Sequence, residues 1–167
     1  ATLLERDYEI AEDLTACEVV DVEKIRAIIP HRYPFLLVDR AFSKPVQEGE
    51  NEEIVGIKNI TNSDPCIRTP SGEVMRSLPN WFLLEIAAQI GCVQPLAAEE
   101  NKNKLGIYMG IDDAVFSAPV LPGDQLFIRV RNLLRRGPFG KSEAVITVNG
   151  NEVIKMSLRF AIMDPKQ

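Results

Sequence analysis

The sequence predicts an α+β fold in which a curled antiparallel sheet wraps around one long central helix. The chain has 167 residues, which suits one domain with a real hydrophobic core. Residues 78–96 are apolar on nearly every side, as is typical of a helix buried on most faces. Segments on both sides have the two-residue alternation of strands. A sheet around the helix is the economical way to bury such a surface.

A short helix and two strands are predicted before the long helix. Apolar residues at helical spacing predict a helix over residues 21–29, with Asp21 as its N-cap. Apolar and β-branched residues predict strands over residues 35–42 and 53–60. Residues 61–77 contain two prolines and a glycine, so we expect an irregular loop there.

Strands alone are predicted after the long helix, whose start we expect Ser77 or Asn80 to cap. The first three cover residues 106–116, 125–134 and 141–148. A hairpin turn at Asn149-Gly150 then leads into the last strand. That strand is the clearest, because polar residues alternate with a buried series formed by Ile154, Met156, Leu158, Phe160 and Ile162.

Composition excludes several classes of function. The net charge of −5 argues against a nucleic-acid surface, which needs clustered Lys and Arg. The longest apolar stretch, residues 81–93, is too short and too interrupted to span a membrane. No basic segment followed by an apolar core opens the sequence, so we expect no secretory signal and a cytoplasmic location. The three cysteines lack CxxC spacing, and neither a metal site nor a cofactor is indicated.

The first twenty residues differ from the rest of the chain. They are polar and acidic with weak helical periodicity, so we expect residues 1–20 to form a loose arm. Residues 21–164 are then predicted to form the single folded domain.

Four sequence motifs resemble one known family. They are PHRYPFLLVDR at residues 30–40, VGIKNIT at 55–61, LPNWFLLEIAAQ at 78–89 and MGIDDAVFSAPVLPGD at 109–124. In this order they resemble the FabZ-type 3-hydroxyacyl-[acyl-carrier-protein] dehydratases. The resemblance extends over residues 21–163 and implies the hotdog fold, a curled sheet around a central helix.

This resemblance implies a function and an assembly. Such dehydratases act in fatty-acid or polyketide-type pathways on an acyl thioester held by phosphopantetheine, attached to an acyl carrier protein or to CoA. They form homodimers, often hexamers built as trimers of dimers, with the acyl chain in a tunnel between subunits. Their catalytic pair is a motif histidine and a glutamate on the partner's central helix.

The resemblance also assigns site residues in this sequence. Glu85 matches the catalytic glutamate and Gln89 matches the family glutamine one helical turn later. The backbone N–H of Asn80 matches the amide that polarises the thioester carbonyl. The remaining residues expected to contact substrate are Trp81, Tyr108, Pro70 and Ser71.

The motif histidine is missing from its expected position. Where the family has GHFPGxP, this chain reads IRTPSGEVMRS, and the histidine position falls near Pro70 or Ser71. The only histidine is His31, in the PHRYPF motif. We expect it to be a hydrogen-bonded structural residue at a helix–strand junction, away from Glu85.

Three functions are compatible with this sequence. The first is a working 3-hydroxyacyl-thioester dehydratase with altered chemistry. The second is a non-catalytic subunit that forms a heterodimer with an active paralogue. The third alternative is a hotdog thioesterase that uses Glu85 alone, which rests on fold-level analogy.

Overall fold

The computed structural model describes residues 14–46 and 51–165. The α-helices of these residues are α1 (Val22–Ile28) and α2 (Asn80–Ala97). The strands are β1 (Glu18–Val20), β2 (Arg40–Ser43), β3 (Glu53–Asn59), β4 (Leu105–Phe116), β5 (Gln125–Arg136), β6 (Phe139–Val148) and β7 (Asn151–Met163). No helix in this described part of the chain is long and apolar enough to cross a bilayer.

The strands form one antiparallel sheet around α2. Their order is β1-β2-β3-β5-β6-β7-β4, so the long strand β4 lies at an edge. Side chains of α2, among them Leu83, Ile86 and Ile90, are fully buried. They belong to the same core as buried residues of β5 and β6, among them Ile128 and Ile146. The predicted α+β hotdog architecture is therefore confirmed.

The two helices begin in different ways. Asp21 caps α1 as predicted, because its Oδ1 accepts from the Lys24 N–H at 2.9 Å. Helix α2 begins at Asn80 after Pro79, without a side-chain cap, so the prediction that Ser77 or Asn80 caps it is wrong. The entry to α2 is fixed instead by the backbone, since the Leu78 N–H donates to the Val120 carbonyl at 2.8 Å.

The strand predicted over residues 35–42 is mostly absent. Only its end is extended in the sheet, because β2 begins at Arg40. The Phe35 carbonyl and the Leu37 N–H bond instead to the side chain of Gln89, at 2.8 and 2.9 Å. These backbone groups have a partner outside the sheet, so residues 35–37 need no neighbouring strand.

The strands after α2 follow the prediction closely. Asn149 and Gly150 have φ values of 49° and 75°, the left-handed pair that a tight hairpin turn requires. In β7 the predicted apolar series is buried while Lys155 and Arg159 are exposed.

Near the other end of the chain, residues Glu18–Val20 fall within the range predicted as an arm, and they form strand β1, which pairs with β2. Residues 1–13 of that range lie outside the described residues.

Glu53 at the start of β3 is held by three basic side chains. Its carboxylate lies 2.8 Å from Lys44 Nζ, 2.8 Å from Arg129 Nη1 and 3.2 Å from Arg131 Nη2. Burial works to raise the pKa of Glu53, but the hydrogen bonds and charges of these cations outweigh it and lower the pKa. The cluster joins β3, β5 and the segment after β2.

Glu53→Gln should lower the free energy of unfolding by about 1–2 kcal/mol at neutral pH, since the cations lose their shared counter-charge. A carboxyl with a lowered folded pKa stabilises above its unfolded value, here 4.5, and loses this contribution as pH falls through the folded value. The difference from wild type should therefore shrink in acid. Urea unfolding at several pH values and one protein concentration measures it; a pH-independent difference would contradict the account.

Candidate active site

Glu85 lies on the face of α2 that borders a cavity. Its side chain is 26% exposed, and Gln89, one helical turn later, donates from Nε2 to Glu85 Oε1 at 2.8 Å. Residues four apart lie on the same helix face, so this bond forms within α2. It leaves the carboxylate oriented and open to the cavity.

Gln89 also connects α2 to the segment that follows α1. The side chain is 2% exposed and makes three hydrogen bonds: to Glu85, to the Phe35 carbonyl and from the Leu37 N–H. Its amide therefore fixes both the carboxylate of Glu85 and residues 35–37. The position of the preceding residues, including His31, depends on this attachment.

His31 lies beside Glu85. Its Nε2 is 3.5 Å from Glu85 Oε1, and its side chain is 31% exposed. Its Nδ1 is buried, with no hydrogen-bond partner among the described residues. The prediction that His31 lies apart from Glu85 is therefore wrong. The chain supplies one histidine, and the fold brings it to the one glutamate that the family motif identifies.

His31 and Glu85 both line a cavity of about 310 Å³. On α2 its wall continues from Glu85 through Ala88, Gln89, Gly91 and Cys92. The sheet contributes the opposite wall, formed by Gly106, Ile107, Tyr108, Ser142, Leu158 and Phe160. Most of this surface is apolar, and a His–Glu pair at one side makes a site for an apolar molecule with a reactive polar group.

Burial changes the pKa of two further titratable groups of the cavity wall. Burial raises the pKa of the Cys92 thiol to about 12, and the charge of Glu85 adds to the increase. Burial also raises the pKa of the Tyr108 hydroxyl, again with a contribution from Glu85. Both groups are therefore neutral at physiological pH. Tyr108 presents a neutral hydroxyl at the place where the sequence predicts a substrate contact.

Asn80 and Trp81 lie at the N-terminus of α2. The Asn80 N–H is one of the first amides of the helix, which have no acceptor within it. Trp81 is 56% exposed, and its ring stacks on Phe82 at 3.7 Å. Phe82 contacts Phe35, whose ring lies 6.4 Å from that of His31. Aromatic rings thus connect the helix start to His31, and the substrate contacts of Asn80 and Trp81 stay predictions.

Pro70 and Ser71 lie in an exposed turn. The turn is closed by a hydrogen bond from the Gly72 N–H to the Thr69 carbonyl at 2.9 Å, and the Ser71 hydroxyl bonds to that of Thr69 at 2.8 Å. Neither residue is among those that form the cavity wall. The segment that replaces the family's histidine motif therefore contributes no residue to the wall of this cavity within one chain, and the substrate contacts of Pro70 and Ser71 stay predictions.

The geometry at Glu85 and His31 is suited to proton transfer. A carboxyl and an imidazole at 3.5 Å can hold one proton between them, and both border the cavity. General acid–base catalysis needs two such groups within reach of one substrate. The site can therefore remove a proton from one atom of a bound molecule and protonate another.

Comparison with known proteins identifies the family. The family model for ApeP-like proteins, described as ApeP dehydratase, matches residues 23–167. The chain belongs to the ApeP-like dehydratase family. It is also 43% identical over 148 residues to the 3-hydroxyacyl-[acyl-carrier-protein] dehydratase FabZ of Geobacillus thermodenitrificans, covering 87% of this chain and 97% of the relative. FabZ of Bacillus thuringiensis is 40% identical over 89% of this chain and 100% of the relative. The FabZ-type resemblance is therefore confirmed.

Solved structures support the same fold. A chain of the dehydratase heterocomplex ApeI:P from Xenorhabdus doucetiae superposes with a TM-score of 0.69 at 20% identity, covering 85% of this ApeP-like chain and 92% of that chain. A thioesterase superfamily member from Thermus thermophilus superposes with a TM-score of 0.57 at 17% identity, covering 73% and 87%. Both likenesses show that this ApeP-like dehydratase has the hotdog fold.

Sequence reasoning missed part of the cavity as well as His31. Ala88 and Cys92 follow Glu85 at the three- and seven-residue spacing of one helix face, so helical periodicity could have indicated them. Leu158 and Phe160 were recognised only as buried residues of the last strand. Which buried positions of a sheet border a cavity depends on packing against α2, and the alternation of the strand carries no such signal.

Gln89→Leu should destabilise the protein and disorder the site together. It leaves the Phe35 carbonyl and the Leu37 N–H without their partner, which costs about 1–3 kcal/mol for each buried group. Gln94→Leu on the same helix is the control, because Gln94 Oε1 is buried without a partner among residues 14–46 and 51–165 and its Nε2 makes one long bond, at 3.4 Å, to the Lys44 carbonyl. Urea unfolding should show a large loss for the first variant only. Equal losses would contradict the role of Gln89.

Proposed function

We propose that this ApeP-like chain dehydrates 3-hydroxyacyl thioesters, with His31 and Glu85 of one chain as the proton-transferring pair. The observation that carries the proposal is the 3.5 Å approach of His31 Nε2 to Glu85 Oε1 at the wall of a largely apolar cavity. Membership of the dehydratase family supports the reaction type. In this proposal His31 provides the imidazole that the altered histidine motif lacks.

The reaction needs one base and one acid. In the reactive form the pair holds one proton, on Glu85, and neutral His31 accepts the C2 proton of the substrate at Nε2. The C2–H electron pair forms the C2–C3 double bond while the C3–O bond breaks. Glu85 gives its proton to the departing hydroxyl, which leaves as water. Imidazolium then returns a proton to the carboxylate, a transfer for which the two groups are already adjacent.

The surrounding residues hold the substrate and the pair. Gln89 orients Glu85 through the 2.8 Å hydrogen bond. Amides at the start of α2, including that of Asn80, are placed at the positive end of the helix dipole and suit a thioester carbonyl that gains negative charge as the C2 proton leaves. The apolar walls of the cavity suit the acyl chain. The carrier, an acyl carrier protein or CoA, holds the thioester through phosphopantetheine.

Assembly into dimers is part of the proposal. Strand β4 is a twelve-residue edge strand with Ile107, Met109 and Val115 exposed, and an uncovered apolar edge of this length favours pairing with another chain. A homodimer, alone or within a hexamer, satisfies this. So does a heterodimer with a paralogue, which the ApeI:P heterocomplex makes a specific alternative. A cytoplasmic location likewise stays a prediction.

Thioester hydrolysis is less well supported. The thioesterase-like neighbours show the fold alone. A thioesterase of the kind considered above needs only a single carboxylate. The cavity instead has a carboxylate and an imidazole 3.5 Å apart. The pair favours a reaction that moves two protons, which is the requirement of dehydration.

Glu85→Gln and His31→Asn should each reduce dehydration of a 3-hydroxyacyl thioester by roughly 10²–10⁴-fold, since each removes one member of the acid–base pair. The enoyl product is followed by its ultraviolet absorbance, together with the rate of free thiol release. Glu99→Gln, on an exposed turn, is the matched control and should retain full activity.

The same assay separates the alternative functions. Full activity in His31→Asn would contradict the proposed pair. Thiol release without enoyl product would identify a thioesterase. An inactive isolated chain that becomes active only with a histidine-containing homologue, and regardless of His31, would identify a non-catalytic subunit of a heteromer.

A further inference from the structure

The acyl cavity extends along α2 from the His31–Glu85 pair to Cys92. Gly106 of β4 packs directly against α2 there: a Cβ on Gly106 would lie 2.6 Å from Cys92 Sγ and 3.5 Å from Leu96 Cδ1. Helix and sheet are therefore close together at Cys92 and Leu96. From Glu85 to Cys92 the helix rises about 10 Å, at about 1.5 Å per residue, and this span limits how far an acyl chain can follow α2.

The ring of Phe160 forms part of the sheet side of this span. Phe160 on β7 is paired with Gly140 on β6 and with Tyr108 on β4. A Cβ on Gly140 would lie 2.6 Å from Phe160 Cε1 and 2.8 Å from Cε2, closer than real Cβ contacts. The ring thus lies against the sheet in the space that a side chain at position 140 would fill, an arrangement known for aromatic residues beside glycine in sheets.

A side chain at position 140 would have to displace this ring. The ring borders the cavity and also a second groove that Gly140 and Met109 line. A Cβ at position 140 would push the ring away from β6, toward Tyr108, its partner on β4 and a residue of the same cavity wall. Gly140 is not one of the glycines with a positive φ in the described chain. Its backbone conformation is therefore compatible with alanine. The absence of a Cβ at position 140 therefore leaves the space that the Phe160 ring occupies.

We infer that Gly140 sets the length of acyl chain the cavity accepts, by allowing the Phe160 ring to lie flat against the sheet. This inference rests on the proposed function for the identity of the ligand. Gly140 acts through Phe160 and touches no substrate; it is a positioning residue, and Phe160 is the wall that the acyl chain meets. A side chain at position 140 would lift the Phe160 ring off the sheet and shorten the cavity. A smaller side chain at position 160 would enlarge the cavity.

Binding of acyl-pantetheines tests the inference without requiring catalysis. Butyryl- and decanoyl-pantetheine contain the part of the ligand shared by CoA and carrier proteins, and calorimetry gives their affinities. Gly140→Ala should weaken decanoyl-pantetheine roughly tenfold or more relative to butyryl-pantetheine, the scale on which pocket contacts discriminate apolar chains. Gly110→Ala is the control and should change neither, because its Cβ would meet only Arg159 Nη2 at 3.5 Å.

A second substitution isolates the ring as the cause. In Phe160→Leu the smaller side chain leaves room for a Cβ at position 140, so adding Gly140→Ala should no longer alter the ratio of the two affinities. Equal weakening of both ligands by Gly140→Ala, the same change in the Phe160→Leu background, or no binding of either compound by the wild type would overturn the inference. Chain-length-dependent binding without dehydration would overturn the proposed function and leave this inference standing.

Discussion

The side-chain amide of Gln89 is the interaction on which the arrangement of the site depends. From the interior of the central helix it holds the Glu85 carboxylate, the Phe35 carbonyl and the Leu37 N–H. A buried amide with satisfied hydrogen bonds fixes the groups around it, whereas an unsatisfied one is costly. One side chain therefore places the segment after helix α1 against helix α2, and His31 comes to lie beside Glu85 as part of the same arrangement.

Much of the fold was predictable from the sequence because several elements have a strong local signal. The apolar helix, the alternation in the last strand and the Asn149-Gly150 turn all concern neighbours in the chain. The strand predicted over residues 35–42 is present only from Arg40 onward, for a different reason. Its backbone bonds to a side chain more than fifty residues away, and no local pattern records such a long-range partner.

The site was predictable where the family motif and the fold agree. Glu85 and Gln89 were identified by motif spacing, and the structure places them together on the cavity wall. Residues 70 and 71 were identified by counting to the missing histidine, and they lie in an exposed turn. The motif that contains His31 is not the catalytic one in the family, so the resemblance gives His31 no role at the site. Its distance to Glu85 is a property of tertiary packing, which motif positions do not give.

The central claim is that His31 and Glu85 act as one unit, and a double-mutant cycle tests it most directly. The value of kcat/KM for dehydration is measured in the wild type, in His31→Asn, in Glu85→Gln and in the double variant. Residues that act as a unit are strongly non-additive, so the account predicts a double variant about as slow as the slower single variant. Losses that multiply in the double variant would show that the two residues act independently and would contradict the account.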